Sequence, residues 1–473
     1  MPLDLQETAP EGDGPPIEPT MLDSEPAVAH EPAADLAPVA AAAAAAAPVT
    51  PEERLASVDT LRGLALLGIL AMNIVGFGWP GAAYGDPLKG GGFDGSDRLI
   101  WFFNHLVFEE KMMTIFSMLF GAGLVLMGER AAARGASLRG VYYRRVLWLL
   151  AIGLVHSYLI WDGDVLVLYA QCGLFLYPFR RLSARALITI GVIFSLILIP
   201  IVLGFGLAIR GLERVTARVD AQVAAGKTPT RLDRRLRDLW VDDLQKELNP
   251  NPEQEKKDWD ESMAVHRGGY AGIVKKRAVG LVFEQTFGFV LGGFFFAMSR
   301  MLLGMGLMKL GVFSAERSRA FYLEMVGLGY GIGLPLMVID ARELVRHAFR
   351  PEYLLNGGEF YNLFGSLVVA MGHVGLIMLL VQSGSLAWLT GRLAAVGRMA
   401  LSNYLTHSIV CTTLFYGYGF GLFGQINRTG LAAIVLTIWI AQLLISPIWL
   451  KHFRFGPAEW LWRSLTYWKI QPM

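Results

Sequence analysis

The sequence predicts an all-α, polytopic transmembrane helix bundle of about ten spanning helices. Three observations predict it. Of the 473 residues, 54% are hydrophobic and only 17% charged, against about 25% charged in soluble domains. The apolar residues gather into blocks near 20 residues long, the length that crosses a hydrocarbon core of about 30 Å. Basic residues then recur in alternate loops, as they do when one side of a membrane collects them. A backbone in lipid must satisfy its own hydrogen bonds, and without the alternation of a β-barrel the blocks must be helices.

Residues 1–52 come first, an acidic stretch rich in Pro and Ala. Residues 1–53 hold eleven Asp or Glu and no Lys or Arg, so the remainder is at about +13 within a net charge of +2. No basic region precedes the alanine run Ala40–Ala47, which argues against a signal peptide and for a disordered tail. The N-terminal bundle, residues 53–209, holds five expected spans: 61–79, 112–127 (extended backwards by an amphipathic piece with Trp101 and His105), 146–161, 165–179 and 186–208. A charged extramembrane insertion covers 210–277. The C-terminal bundle, residues 278–473, holds spans at 288–310, 321–339, 363–381, 400–415 and 431–450, then an aromatic and basic interfacial helix. In that last helix Glu459 and Arg463 stand four apart, placed to pair.

Arg130, Arg134, Arg139, Arg144 and Arg145 follow span two, and Arg180, Arg181 and Arg185 follow span four. With ten spans these share a side with Arg392, Arg398 and the basic C-terminus, which puts both termini in the cytoplasm. The loop at 340–359 also carries basic residues and departs from that rule. Cys172 and Cys411 lie within apolar segments, so no disulfide framework is expected. The glycine spacing of Gly419–Gly424 lacks the preceding strand of a dinucleotide loop. No nucleic-acid module is present, and the mixed charges of the insertion suit a solvated face.

Three polar constellations carry the candidate chemistry. Asp59 and Arg62 are three apart and share a helix face. Asn73, eleven residues beyond Arg62, returns to that face about three turns deeper. The group is either a binding site or an interfacial ion pair with a helix-packing amide. Next, His156 precedes the tight turn Asp162–Asp164, and Tyr169 follows it. A carboxylate can orient and charge an imidazole, making His156 a candidate general base; alternatively the turn only separates two short spans. Third, Asn403 and His407, four apart, line a cavity or bridge two helices. His105 and Glu109 have helical ligand spacing but no third partner, so no metal site is expected.

Four ordered blocks, Arg54–Gly68, His156 through Asp164 to Tyr169, Gly397–Ser408 and Phe453–Tyr467, resemble the signatures of the YeiB-like bacterial membrane proteins, the "domain of unknown function 418" family. The resemblance spans about residues 54–470 and implies a multi-pass protein of the bacterial inner membrane. That family in turn is similar to transmembrane acyltransferases, including heparan-α-glucosaminide N-acetyltransferase and the acyltransferase-three family, which pass acyl groups from cytoplasmic acyl-CoA to sugars. By that likeness Arg62 matches the superfamily's first-span arginine. Asn73 stands where the acyltransferase-three family has a catalytic His. Tyr84 and Asp86 occupy the region where the heparan enzyme carries its own.

The expected function is acyl transfer from a cytoplasmic acyl-CoA to a saccharide or lipid-linked envelope acceptor. In it, His156, Asp162, Asp164 and Asn73 are catalytic. Arg62, Asp59, Tyr169, Asn403 and His407 bind substrate. No bound cofactor is expected beyond acyl-CoA as co-substrate. The partners are the lipid bilayer, acyl-CoA and the acceptor, with a homo-oligomer left open. The alternatives are a transporter of a small or lipid-linked solute using the same polar groups, and a non-catalytic envelope protein in which those groups share no chamber.

Overall fold

The computed structural model describes residues 55–244 and 251–473. The tail expected over residues 1–52 lies outside the described residues. In chain order the main helices are α1 (Ala56–Gly78), α2 (Gly95–Val107), α3 (Lys111–Ala133), α4 (Arg139–Leu159) and α5 (Leu166–Leu176). Then come α6 (Ala184–Ala224), α7 (Pro252–Arg267), α8 (Tyr270–Phe283), α9 (Phe294–Lys309) and α10 (Arg319–Arg346). The last five are α11 (Glu359–Ser383), α12 (Ala387–Arg398), α13 (Ala400–Phe415), α14 (Arg428–His452) and α15 (Pro457–Tyr467). Among the described residues there is no β-strand.

Seven helical stretches among the described residues are long and apolar enough to cross a membrane, against the about ten that the sequence predicts. They are α1, α2 with α3, α6, α8 with α9, α10, the stretch ending in α11, and α14. The three remaining expected spans fall short for separate reasons. α4 has 21 residues but begins on Arg139, Arg144 and Arg145. α5 has only 11 residues, about 16 Å of helix. α13 has 16, because the chain turns at Met399 and its preceding turns form the separate helix α12.

α1 is the axis of the bundle. Most of it is buried, against α3, α12, α13 and α14. Its approach to α12 is backbone to backbone: a Cβ on Gly63 would strike the Leu393 carbonyl, and one on Gly397 the Asp59 carbonyl. Small residues permit such crossings in lipid, where dispersion rather than water exclusion holds helices together. α6, α10 and α14 lie at the rim, the larger part of their apolar windows left uncovered by the described residues. α6 runs unbroken for 41 residues, well past the expected end of the fifth span, carrying the chain into the insertion.

The insertion returns to the bundle through α7 and α8. Arg267 Nε donates to the Phe423 carbonyl (3.0 Å) and Gly417 N–H to the His266 carbonyl (2.8 Å). The Tyr270 hydroxyl donates to the Leu159 carbonyl (2.7 Å), and Arg277 stands 3.8 Å from Asp162. These contacts set α7 and α8 over the end of the bundle that holds the turn at residues 162–164. α15 lies at the other end, hereafter the basic face, where Arg144 Nε donates to the Thr466 carbonyl (2.9 Å).

Candidate functional site

A cavity of about 260 Å³ opens between α1, α3, α4, α12, α13 and α15. Five arginines line it: Arg62, Arg130, Arg145, Arg398 and Arg463. Among the described residues two carboxylates do, Asp59 and Glu459, and both are committed. Asp59 holds Arg62 at 2.6 Å, the pairing their spacing predicts. Glu459 is turned to the N-terminus of α13. Its Oε1 accepts from Leu401 N–H (2.5 Å) and Ser402 N–H (3.1 Å), and its Oε2 from the Ser402 hydroxyl (2.5 Å). A carboxylate at a helix N-terminus satisfies donors that have no partner within the helix. The expected pairing with Arg463 does not form; that guanidinium lies over the Phe455 ring at 4.5 Å. Arg145 likewise stacks on Trp462, 3.7 Å from its ring centre. Arg398 Nε is buried without a hydrogen-bond partner among the described residues.

Behind the arginines the walls are apolar, with Ile69, Phe116, Leu119, Phe120, Val146 and Leu149. The floor is Val165, Tyr169 and Tyr404. The Tyr169 hydroxyl is tied to Ser117 Oγ (2.6 Å), so the residue fills and shapes the floor. Such a chamber suits an amphipathic anion, its charge among guanidiniums and its apolar part beyond.

His156 stands one layer past the floor, its ring 5.1 Å from that of Tyr404. It is buried, with Nδ1 2.7 Å from Asp164 Oδ1 and Nε2 2.8 Å from Ser408 Oγ. The other Asp164 oxygen accepts from Val167 N–H (2.7 Å), fastening the carboxylate to the first turn of α5. The structure thus brings His156 to Asp164 and leaves Asp162 apart. The Asp162 side chain is 49% exposed and faces Arg277. Asn73 is one helical turn beyond Ile69 on the cavity-facing side of α1, half-buried, and outside the cavity lining. Asn403 and His407 turn towards α14: Asn403 Nδ2 donates to Ser446 Oγ (3.1 Å), and His407 Nε2 meets Gln442 Oε1 (2.8 Å).

Two features escaped the sequence reading. Ser408 is one, since nothing local marks a helical serine as the partner of a histidine 252 positions away. The second is a buried cluster at the break between α2 and α3. There His105 bridges Glu109 (2.7 Å) and Asp340 of α10 (2.9 Å), and Lys111 Nζ donates to the His105 carbonyl (2.5 Å). The His105–Glu109 spacing was a signal for half of it. No cluster suited to a metal ion occurs among the described residues.

Glu459 provides a stability test. Glu459→Ala leaves three buried donors without their acceptor, each such loss costing about 1–3 kcal/mol, and the unfolding temperature in detergent should fall. Burial pushes the Glu459 carboxyl up, partly offset by the bonds from Ser402 and Leu401. A raised acid binds its proton more tightly in the folded state. Its contribution is therefore present below the ordinary carboxylate range and is lost as pH rises through the folded value. Glu459→Gln should remove that loss, and parallel curves of unfolding temperature against pH for variant and parent would refute the assignment.

The family description "Protein of unknown function (DUF418)" matches residues 307–469, which include α13 and α15. The chain is 32% identical to the uncharacterized protein YeiB of Escherichia coli over 88% of its own length and 96% of that protein's. It is 31% identical to the uncharacterized protein YxaH of Bacillus subtilis over 90% and 97%, and 26% identical to an uncharacterized 39.9 kDa protein in the amylase 3′ region of Bacillus acidopullulyticus over 89% and 96%. No solved structure matches. With helices apolar enough for a membrane and nearly full-length likeness to two of these proteins, the chain belongs to the YeiB-like, DUF418 family of uncharacterised bacterial membrane proteins.

Proposed function

We propose that this protein transfers an acyl group from a cytoplasmic acyl-CoA to a hydroxyl of a saccharide or lipid-linked acceptor on the opposite side of the bacterial inner membrane. The observation that carries the reading is a chamber of arginines and apolar walls whose floor residue Tyr404 packs on His156, their ring centres 5.1 Å apart, with Asp164 holding the imidazole from behind. The arginines hold the phosphates of the donor. The apolar throat takes the thioester end, and His156, oriented by Asp164, is the base that accepts a hydroxyl proton.

In this reading the basic face is cytoplasmic, with both termini on it, and the chain crosses about ten times. α4 is about 31 Å long, enough for a crossing on its own. α5 with the turn after it, and α12 with α13, complete the other two as broken helices, which lipid tolerates where protein covers the break.

Titrating purified protein in detergent with acyl-CoA, then with CoA alone, tests the reading. Saturable binding of both, tighter for the acylated form because the apolar throat is then filled, is the expected result. No binding of either would reject the donor. Passage of an intact labelled solute across proteoliposomes without acyl turnover would replace transfer by transport.

A further inference from the structure

We propose that Ser408 is a nucleophile, and that the acyl group crosses as an ester on its hydroxyl. This rests on the acyl-transfer reading and adds its route. Ser408 Oγ, His156 and Asp164 stand in line, at 2.8 Å and 2.7 Å, in the order nucleophile, base, orienting carboxylate. Geometry and roles define such a constellation, whatever the chain order. The three come from α13, α4 and the turn before α5, so tertiary packing brings Ser408 to a pair that one tight turn already joins.

For a neutral imidazole the partners of the two ring nitrogens assign the proton. A carboxylate only accepts, so Asp164 holds a proton on Nδ1 and leaves Nε2 of the neutral ring as the acceptor. Ser408 therefore donates to Nε2. Its neighbours on α13 behave differently. Thr406 donates to the Ser402 carbonyl (2.8 Å), and Thr412 and Thr413 both donate to the Ile409 carbonyl (3.3 and 2.7 Å). Back-bonding of this kind is the usual fate of a helical hydroxyl. Among the described residues, the one side-chain bond of Ser408 is to the imidazole.

Its position also suits the task. Tyr404 lines the cavity, and Ser408 is one helical turn beyond it on the same face. The Tyr404 hydroxyl is held loosely, 3.3 Å from Val165 N–H and 3.5 Å from the Gly163 carbonyl. In this route the Tyr404 side chain turns aside to admit the thioester.

In the first half-reaction Ser408 Oγ attacks the thioester carbonyl while its proton passes to His156 Nε2. The tetrahedral intermediate collapses, the C–S bond breaks, and the imidazolium returns the proton to the leaving thiolate. In the second, an acceptor hydroxyl gives its proton to His156 and attacks the ester. The C–Oγ bond breaks and Ser408 regains its proton. Nothing is oxidised or reduced. The ester separates donor from acceptor in time, so a donor entering from the basic face need not share the chamber with an acceptor from the other.

Full-length protein in detergent should be treated with a fluorophosphonate probe, and separately with acyl-CoA in the absence of acceptor, followed by intact-mass and peptide mapping. Both treatments should modify Ser408. Ser408→Ala should lose both, and His156→Gln should slow both by about 10²–10⁴-fold. Ser408→Cys, which keeps a nucleophile, should give a thioester adduct released by neutral hydroxylamine. No modification of Ser408 by either reagent in the parent protein overturns the proposal. So does acceptor acylation by Ser408→Ala at the parent rate, although acyl transfer itself then stands. Probe labelling of Ser408 without acyl-CoA binding upholds the nucleophile and rejects the donor.

Discussion

Replacing His156 by glutamine is expected to slow acyl transfer by about 10²–10⁴-fold while leaving donor binding unchanged. Glutamine keeps a polar side chain between Asp164 and Ser408 but has no group that takes a proton near neutral pH. Alanine is the poorer choice. It leaves one Asp164 oxygen and the Ser408 hydroxyl, both buried, unpaired, a cost of about 1–3 kcal/mol or more, and lost activity could then reflect lost fold. Asp164→Asn should fall between parent and His156→Gln, because it preserves the geometry yet permits the wrong tautomer. Its side chain must also still cap α5 through Val167 N–H. The decisive measurement separates the two constants: kcat falls and the donor Kd, read by titration, stays. An unchanged kcat in His156→Gln, with the unfolding temperature unaltered, would return His156 to a purely structural role.

The local part of this site was legible in the sequence and the tertiary part was not. Asp59 with Arg62, and His156 with Asp164, are separated by three and eight positions, so helix geometry and one tight turn fix their meeting. Ser408 reaches the same imidazole only because α13 packs beside α4. Arg145, Arg398 and Arg463 read in sequence as loop charges that set orientation, and it takes the folding of α15 under the bundle to place them in one cavity with Arg62. The spacing of Asn403 and His407 gives them one helix face but does not name the neighbour. Gln442 and Ser446 on α14 are also four apart, and the two helices match polar group to polar group. The same limit governs the spans. Hydropathy finds uninterrupted apolar helices such as α1 and α6, whereas α5 and α13 are short and interrupted beside the candidate site. Breaks of that kind survive in lipid only where protein covers the freed backbone.

The arginines should decide donor affinity. Arg398→Ala is expected to weaken acyl-CoA binding by about 10–100-fold, the equivalent of one charge-assisted hydrogen bond of about 1.5–3 kcal/mol. Arg398 is the sharpest choice because its Nε is buried and already lacks a partner in the cavity wall. A buried donor without an acceptor is costly, and an anion that fills the chamber removes that cost. Arg62→Ala should do less through direct contact, since Asp59 already engages that guanidinium at 2.6 Å, and the variant frees an acid that repels the donor. Arg145 and Arg463 lie on Trp462 and Phe455, so lysine at either position keeps the charge but loses the stacked plane. Lysine there should restore only part of the affinity lost in the alanine variants. Raising salt should weaken parent binding more steeply than that of Arg398→Ala, because fewer charges then remain to be screened. If the two salt slopes coincide and the Arg398→Ala titration overlays the parent, the cluster serves only to hold the basic face at the membrane surface. The donor would then have to be sought at another opening of the bundle.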